Sequence, residues 1–156
     1  MRFTTYSYRY GEEIMNAKLN LKKEVEEIIS KTTTKMDLGS GTKLNKELEE
    51  LFKERGWISQ SKVVNELGLS IDFEKERIGV EVQFGNVARL YADLFKLQVM
   101  SFSGKDKIDV GIIILPKIEY AKRIGSPIAN FEKLVRELPY FKTALQVPLW
   151  IIGLEE

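Results

Sequence analysis

The amino-acid sequence predicts an α/β protein of the α+β type, with a central mixed β-sheet flanked by helices. Amphipathic stripes dominate residues 12–30 and 43–55, where apolar side chains recur every three or four positions. The apolar period shortens toward two between residues 63 and 84, as in half-buried strands. Residues 107–115 form a nearly continuous apolar run, which is typical of a central strand. This order of helices, β-meander, and alternating helix and strand indicates a mixed sheet covered by helices.

Each element follows from its local pattern. The expected helices are, in chain order, Glu12–Ser30, Lys43–Arg55, Asn86–Phe102 and Pro127–Leu138. Ser126 is the candidate N-cap of the last helix, because Pro127 suits a first helical position. The expected extended segments are Arg2–Tyr10, Val63–Phe73, Arg77–Phe84, Lys107–Leu115 and Val147–Leu154. A charged turn at Glu74–Glu76 joins two of these strands, and Lys31–Thr42 is expected to be a loop.

The composition is that of an ordinary folded domain. A chain of 156 residues suits one domain, which we expect to span residues 1–156. Hydrophobic residues make up 44% of the chain, enough to bury a core. No apolar run approaches the roughly 18 residues that cross a membrane. Met1–Tyr10 lacks the apolar centre of a signal peptide, so the expected location is cytoplasmic.

The chain contains no cysteine and no histidine, and both absences exclude classes of chemistry. Thiolate zinc sites, cysteine nucleophiles, Ser-His-Asp triads and histidine–metal nucleases are all excluded. Hydrolysis would have to use carboxylates, lysine, tyrosine or a hard metal ion, and hard ions with oxygen ligands point to Mg²⁺. The net charge of +1 argues against a purely electrostatic coat on DNA.

The most informative segment is the hairpin that carries Asp72, Glu81 and Gln83. Residues two apart in a strand share a face, so Glu81 and Gln83 point the same way. Asp72 lies nine residues before Glu81, and a tight turn between them can bring both carboxylates together. Two neighbouring carboxylates repel each other unless a cation lies between them, and a divalent ion satisfies both. Such an ion can acidify water and neutralise charge on a phosphate, chemistry that requires no histidine or cysteine.

The same hairpin also has a purely structural interpretation. Asp72 can be a solvated carboxylate at a strand end, and Glu81 and Gln83 can be an ordinary exposed strand face. The spacing of an Asp followed by Glu-x-Lys/Gln on the next strand resembles the PD-(D/E)xK nuclease superfamily, but many hairpins match it by chance.

A wider set of segments carries a more specific resemblance. These segments are Ile71–Phe73, Val80–Phe84, Asn86, Ile108–Pro116, Asn130–Glu132 and Val147–Leu154. Together they resemble the BglII/BamHI family of type II restriction endonucleases. The similarity runs from about Trp57 to the end of the chain, with a fainter match over Tyr6–Asn16.

The resemblance implies a restriction-endonuclease-like fold and a homodimer that cuts double-stranded DNA at a short palindrome, often centred on GATC. It implies Mg²⁺ as cofactor, with Mn²⁺ able to substitute. Asp72 and Glu81 resemble the metal-binding carboxylates, and the backbone carbonyl of Val82 resembles a further ligand. Gln83 resembles the residue beside the attacking water, where the wider superfamily usually has Lys. Because Gln cannot act as a base, deprotonation would fall to metal-bound water or to a substrate phosphate.

The resemblance also implies DNA contacts, each with a structural alternative. Asn86 matches a position that faces base edges in the major groove, and it is equally a good helix N-cap. Ser126 resembles a second base-reading loop, although capping before Pro127 explains it as well. Lys122 and Arg123 can hold phosphate or can form a solvated face.

The helix Asn86–Phe102 carries two apolar faces and resembles the dimerisation helix of the family. The second face could instead be covered by the N-terminal helices. Gly85 and Gly125 stand where relatives often have hydrogen-bonding side chains, which puts the recognition sequence in doubt. Gln60 falls near a polar family position, and Glu47, Glu49 and Glu50 are surface charges unless one of them supports the site.

Other functions remain open at this level. A repair or structure-selective nuclease of the same superfamily would share the carboxylate hairpin. A non-catalytic DNA-binding module would keep the fold and bind duplex without cutting it. A scaffold with no DNA role would bind no duplex at any salt concentration.

Overall fold

A computed structural model describes residues 1–64, 68–102 and 107–156. The strands are β1 (Arg2–Tyr8), β2 (Ile58–Val64), β3 (Leu69–Lys75), β4 (Ile78–Val82), β5 (Val110–Pro116) and β6 (Leu149–Glu155). The helices are α1 (Gly11–Ala17), α2 (Leu19–Lys31), α3 (Gly41–Glu54), α4 (Val87–Phe102), α5 (Ile118–Ile124) and α6 (Phe131–Glu137), with a 3₁₀ turn at Leu138–Phe141. Among these helices, none has the length and apolar character needed to cross a membrane.

The strands form one mixed sheet in the order β1-β6-β5-β4-β3-β2. The central pairs β4–β5 and β5–β6 are parallel, whereas β1–β6, β2–β3 and β3–β4 are antiparallel. Strand β5 is buried along its whole length, as its continuous apolar run predicts. The predicted fold class, a mixed sheet flanked by helices, is therefore confirmed.

Side chains of the central strands alternate between two hydrophobic cores, one on each face of the sheet. Ile112 and Ile114 of β5 point toward one face, where α1, α2, α3 and α5 pack. Ile113 and Leu115 point toward the other face, which α4 and α6 cover. This alternation is the two-residue period of a strand, and each fully buried aliphatic side chain contributes about 1.5–3 kcal/mol. Helix α4 is thereby fixed against the sheet on the face opposite the N-terminal helices.

The strand expected over Val63–Phe73 is wrong, because two antiparallel strands, β2 and β3, occupy this region. Part of that expected strand, residues 65–67, lies outside the described residues. Gly68 follows with φ +64°, a backbone conformation that a continuous strand does not contain. Both strands carry β-branched residues, so the composition alone did not distinguish two strands from one.

The helix expected over Glu12–Ser30 is interrupted at Lys18, whose φ of −111° and ψ of 49° are not helical. The Lys18 ammonium lies 3.3 Å from Asp109 Oδ2 and donates to the Glu76 backbone carbonyl at 3.0 Å. These contacts tie the break between α1 and α2 to the far end of the β3–β4 hairpin. Side-chain periodicity continues across the break, so the sequence pattern gave no sign of it.

The last helix starts later than expected, and Ser126 does not cap it. Helix α6 begins at Phe131, and the Asn130 side chain accepts a hydrogen bond from the Lys133 backbone nitrogen at 3.0 Å. The expected N-terminal proline, Pro127, lies in the preceding loop. Helix α5 was not expected, because seven residues are too few to show a helical period.

Glu47 of α3 stabilises the segment that precedes this helix. Its carboxylate accepts hydrogen bonds from the backbone nitrogens of Thr33 and Thr34 at 2.7 and 2.9 Å. Burial raises the pKa of Glu47, but the hydrogen bonds from Thr34 and Thr33 outweigh it and lower the pKa from 4.5 to about 2. Glu47 therefore has a structural role: it fixes the backbone of Thr33 and Thr34.

We predict that Glu47→Gln lowers the free energy of unfolding by about 1 kcal/mol at pH 7, because charged hydrogen bonds become neutral ones. The folded-state pKa lies below the unfolded one, so this contribution is present above pH 4.5 and lost as the pH falls toward 2. Denaturant unfolding at several pH values measures it, with the exposed Glu50→Gln as control. A wild-type advantage of the same size at pH 3 and pH 7 would contradict the assignment.

Candidate active site

A cleft of about 790 Å³ opens beside the β3–β4 hairpin. The start of α3 and strand β2 form one wall, and α4 forms the other. Asp72, Glu81, Val82 and Gln83 all line it, so the residues expected to carry chemistry meet in one cavity. The residues expected to contact DNA are not among those that line it, although Gly85 and Ile124, which adjoin Asn86 and Arg123, are.

The register of the hairpin brings Asp72 and Glu81 together. The antiparallel ladder ends with the pair Phe73–Val80, and Asp72 and Glu81 are the next residues of their strands beyond it. Asp72 Oδ2 also accepts a hydrogen bond from the Val82 backbone nitrogen at 2.8 Å. Glu81 is only 1% exposed, whereas Asp72 is half-buried. The Glu81 carboxylate therefore lies deep in the cleft, and the Asp72 carboxylate lies nearer its opening.

Two residues of α4 that the sequence did not suggest complete this cluster. The Lys96 ammonium lies 2.6 Å from Glu81 Oε1 and 2.8 Å from Asp93 Oδ1. Glu81 Oε1 accepts no hydrogen bond of good geometry from the described part of the chain, so the charge of Lys96 is what balances it. Asp93 and Lys96 are spaced i, i+3 on a helix, and this spacing in the sequence indicates that they can pair. It does not indicate that they contact β4.

The carboxylates of this cluster are hard to ionise. Burial, together with the nearby negative charges of Asp93 and Asp72, raises the pKa of Glu81 to about 9 against the opposing effect of Lys96. Burial also raises the pKa of Asp93. Burial by itself would lower the pKa of Lys96, but Glu81 and Asp93 raise it, so the ammonium stays protonated. Three carboxyl groups therefore meet here with one lysine between them, and they cannot all ionise easily without a further cation.

Gln83 is held by protein groups at both ends of its amide. Its Nε2 donates to Asp93 Oδ2 at 2.5 Å, and its Oε1 accepts from the Gly85 backbone nitrogen at 2.5 Å. The side chain is 5% exposed. In this structure Gln83 braces the end of β4 against α4, and its place beside an attacking water stays a prediction.

The donor set of the cleft fits a hard divalent cation. Asp72 and Glu81 offer carboxylate oxygens, the backbone carbonyl of Val82 offers a neutral one, and Mg²⁺ prefers oxygen ligands. The grouping of Asp72, Glu81 and Asp93 around a single lysine is a second observation that favours a further cation. Within residues 1–64, 68–102 and 107–156, no group of three acidic side chains forms a complete metal cage, so water or substrate oxygens would complete the coordination.

The assigned DNA-binding residues lie on segments whose neighbouring residues, such as Gly85 and Ile124, line the cleft. Asn86 is exposed and caps α4, because its Oδ1 accepts from the Arg89 backbone nitrogen at 3.0 Å. Ser126 is exposed on a loop that is fixed beside Asn86 by a 2.8 Å hydrogen bond from the Ala129 nitrogen to the Gly85 carbonyl. The structure thus places the two expected base-reading segments next to each other.

The two expected phosphate contacts, Lys122 and Arg123, lie on α5 and are exposed. Arg123 stacks on the Tyr120 ring at 4.9 Å, and its Nη1 lies 3.8 Å from a Glu156 carboxylate oxygen. Arg123 therefore has partners within the chain, while Lys122 is exposed beside it. Both remain predictions as phosphate contacts.

Gln60 and Glu49 also line the cleft. Gln60 has φ +55°, and its neighbours Ser59 and Ser61 pair with Phe73 and Ile71, which places Gln60 across from Asp72. Glu49 Oε1 accepts hydrogen bonds from Lys53 Nζ at 2.5 Å and Ser59 Oγ at 3.3 Å. Of the three glutamates considered on α3, Glu49 is the one that faces the cavity.

The fold of the chain matches that of solved restriction endonucleases. The crystal structure of restriction endonuclease BglII complexed with a DNA 16-mer superposes with a TM-score of 0.86 at 22% identity, covering 100% of this chain and 79% of that one. The structure of free BglII gives a TM-score of 0.71 at 23% identity, covering 100% and 80%. The chain therefore has the restriction endonuclease fold.

The family follows from the sequence. The model of the restriction endonuclease BglII/BglIII family matches residues 3–154, nearly the whole chain, and the protein belongs to that family. A search of curated proteins gave no match. The resemblance drawn from the hairpin and the segments around it is thus confirmed, and membership implies a DNA-cleaving enzyme of type II.

We predict that Glu81→Gln raises the midpoint of thermal unfolding in chelator by about 2 °C or more, because a buried carboxyl group costs more free energy to desolvate than a buried amide. The same variant should lose the stabilisation that Mg²⁺ or Mn²⁺ gives the wild type through binding the folded state. Differential scanning fluorimetry with and without metal measures both effects. Glu54→Gln, at an exposed position on α3, is the control. Equal metal stabilisation of Glu81→Gln and wild type would contradict the assignment of Glu81 as a ligand.

Proposed function

We propose that the chain, as one endonuclease domain over residues 1–156, hydrolyses both strands of DNA at a short palindromic site in the cytoplasm, with Mg²⁺ as cofactor. A GATC-centred site is the specific form of this proposal. The observation that carries it is the meeting of Asp72 and Glu81 in a cleft, within a family of restriction endonucleases. Restriction endonucleases generally use divalent metal ions, and the oxygen donors of this cleft suit one.

Asp72, Glu81 and the Val82 carbonyl would hold the ion, with Mn²⁺ able to replace Mg²⁺. A divalent ion in such a site supplies charge neutralisation for the phosphate and acidifies water. The protein itself would hold the Glu81 carboxylate in place and shield it from solvent, and it would keep the Asp72 carboxylate near the cleft opening. Gln83 cannot take a proton, so its proposed role is to fix the shape of the β4 end rather than to act as a base.

The rim of the cleft supports contact with duplex DNA. Asn86 and Ser126 sit on adjacent exposed segments, where amide and hydroxyl groups can read base edges. Lys122 and Arg123 on α5 would contact phosphate and set the register of the protein on the duplex. An exposed amide that also caps a helix can perform both functions, because capping uses its oxygen and leaves its nitrogen as a donor.

A homodimer is part of the proposal, and α4 supports it. The sheet covers one apolar face of this helix, as expected, while Phe95 and Phe102 on its other side are 61% and 62% exposed. Phe95 also lines an apolar hollow of about 300 Å³ together with Tyr91 and Phe141. The N-terminal helices pack on the opposite face of the sheet, so they do not cover this side of α4.

We predict that wild-type protein cuts unmethylated phage DNA into discrete bands with Mg²⁺, and that Asp72→Asn lowers the cleavage rate by roughly 10²–10³-fold. The asparagine can still accept the Val82 hydrogen bond but removes a charge that a divalent ion needs. Gel analysis with rate measurement tests both statements, and Asp37→Asn, at an exposed acidic position, is the control.

The digestion pattern separates the candidate functions. A smear from wild-type protein would favour a repair or structure-selective nuclease, and intact DNA with bound protein would favour a non-catalytic module. Cleavage by Asp72→Asn at the wild-type rate would refute the assignment of Asp72.

We predict that Asn86→Ser separates capping from base reading. Serine is as good an N-cap as asparagine, so the unfolding midpoint should stay within about 2 °C of wild type. Loss of the amide donor should weaken specific cleavage by about tenfold, since one hydrogen bond is worth roughly 0.5–1.5 kcal/mol. Rates on the site identified from wild-type digestion measure this. An unchanged rate would show that Asn86 caps α4 and does not read a base.

A further inference from the structure

Lys96 occupies an unusual environment for a lysine. Its ammonium lies within 3.0 Å of three oxygen atoms, namely Glu81 Oε1 at 2.6 Å, Asp93 Oδ1 at 2.8 Å and the Ser70 carbonyl at 3.0 Å. The contact with Glu81 is an ion pair, while the Ser70 carbonyl accepts a hydrogen bond from the ammonium. Most surface lysines keep the charged end in water, whereas only 19% of this side chain is exposed.

The contacts of Lys96 connect α4 with both neighbouring strands of the hairpin. Glu81 lies on β4 and Ser70 lies on β3, so the ammonium joins the helix to the two strands that carry the proposed metal ligands. Asp93, one helical turn earlier, uses its second oxygen to accept from Gln83. The pair on α4 therefore contacts both polar side chains that β4 presents to the cleft.

Charge explains why the pair is needed. An isolated buried carboxylate costs several kcal/mol unless it is paired with a positive group. Glu81 is 1% exposed, and Lys96 is the cation that contacts it within the described chain. Contact of the Lys96 ammonium with a DNA phosphate would compete with its contacts to Glu81, Asp93 and Ser70.

We propose that Lys96, held by Asp93, is a positioning residue of the endonuclease site that neutralises and orients the Glu81 carboxylate. Its effect on cleavage rests on the proposed function. Its effect on folding rests only on the contacts of the ammonium, so the two can be tested apart.

The first experiment is a double-mutant cycle on thermal unfolding, measured in chelator at one pH with Lys96→Met, Glu81→Gln and the double variant. Lys96→Met should lower the unfolding midpoint of the wild-type background by about 4 °C or more. In the Glu81→Gln background, Lys96→Met should lower the unfolding midpoint by less than half as much, because a neutral amide needs no counter-ion. Equal losses in both backgrounds would overturn the proposal, since they would make Lys96 a general packing residue.

The second experiment separates positioning of Glu81 from contact with DNA. Lys96→Met should lower kcat by about tenfold or more, while affinity for a random-sequence duplex in chelator stays within about twofold of wild type. Lys96→Arg, which keeps the charge, should recover most of the lost rate. Lys23→Met, at an exposed lysine on α2, is the matched control and should change neither quantity.

The alternative outcomes are distinct. Weaker duplex binding by Lys96→Met, with a salt dependence reduced by about one phosphate contact, would make Lys96 a DNA ligand and overturn the proposal. Equal kcat in Lys96→Met and wild type would also overturn it. If the wild type cuts no DNA, the proposed function fails, and the unfolding cycle still decides whether Lys96 compensates Glu81.

Discussion

Burial of the Glu81 carboxylate is the constraint on which the rest of the site depends. Strand β4 runs between β3 and the central strand β5, so a side chain on its face is covered as soon as α4 packs there. A charge in that position is tolerated only with a cation beside it, and Lys96 supplies that cation from the helix. The orientation of α4 is therefore tied to the chemistry of the strand as well as to apolar packing.

Helix α4 meets three different demands along one length. Its N-terminus carries Asn86 as a cap at the cleft rim, and one apolar side packs on the sheet. Its middle presents Asp93 and Lys96 to β4, and its remaining side leaves Phe95 exposed. A displacement of the helix at any of these surfaces would change the other two, which couples the proposed dimer face to the carboxylate cluster through one rigid element.

Much of the fold could be predicted from the sequence, because periodicity reports which face of an element is buried. The run before Pro116 identified a central strand, and the alternation around Glu81 identified its neighbour. The errors fall where periodicity carries no information. Lys18 breaks a helix through contacts with residues far along the chain, and the seven residues of α5 are too few to show a period.

The candidate site was predictable to the extent that it is local in sequence. Asp72 and Glu81 meet because a tight turn joins their strands, and a turn is visible in a sequence. Lys96 was not predictable in the same way, since its contact with Glu81 requires knowledge of how α4 crosses β4. An i, i+3 pair of opposite charges on a helix is usually a solvated surface feature, and burial alone distinguishes this one.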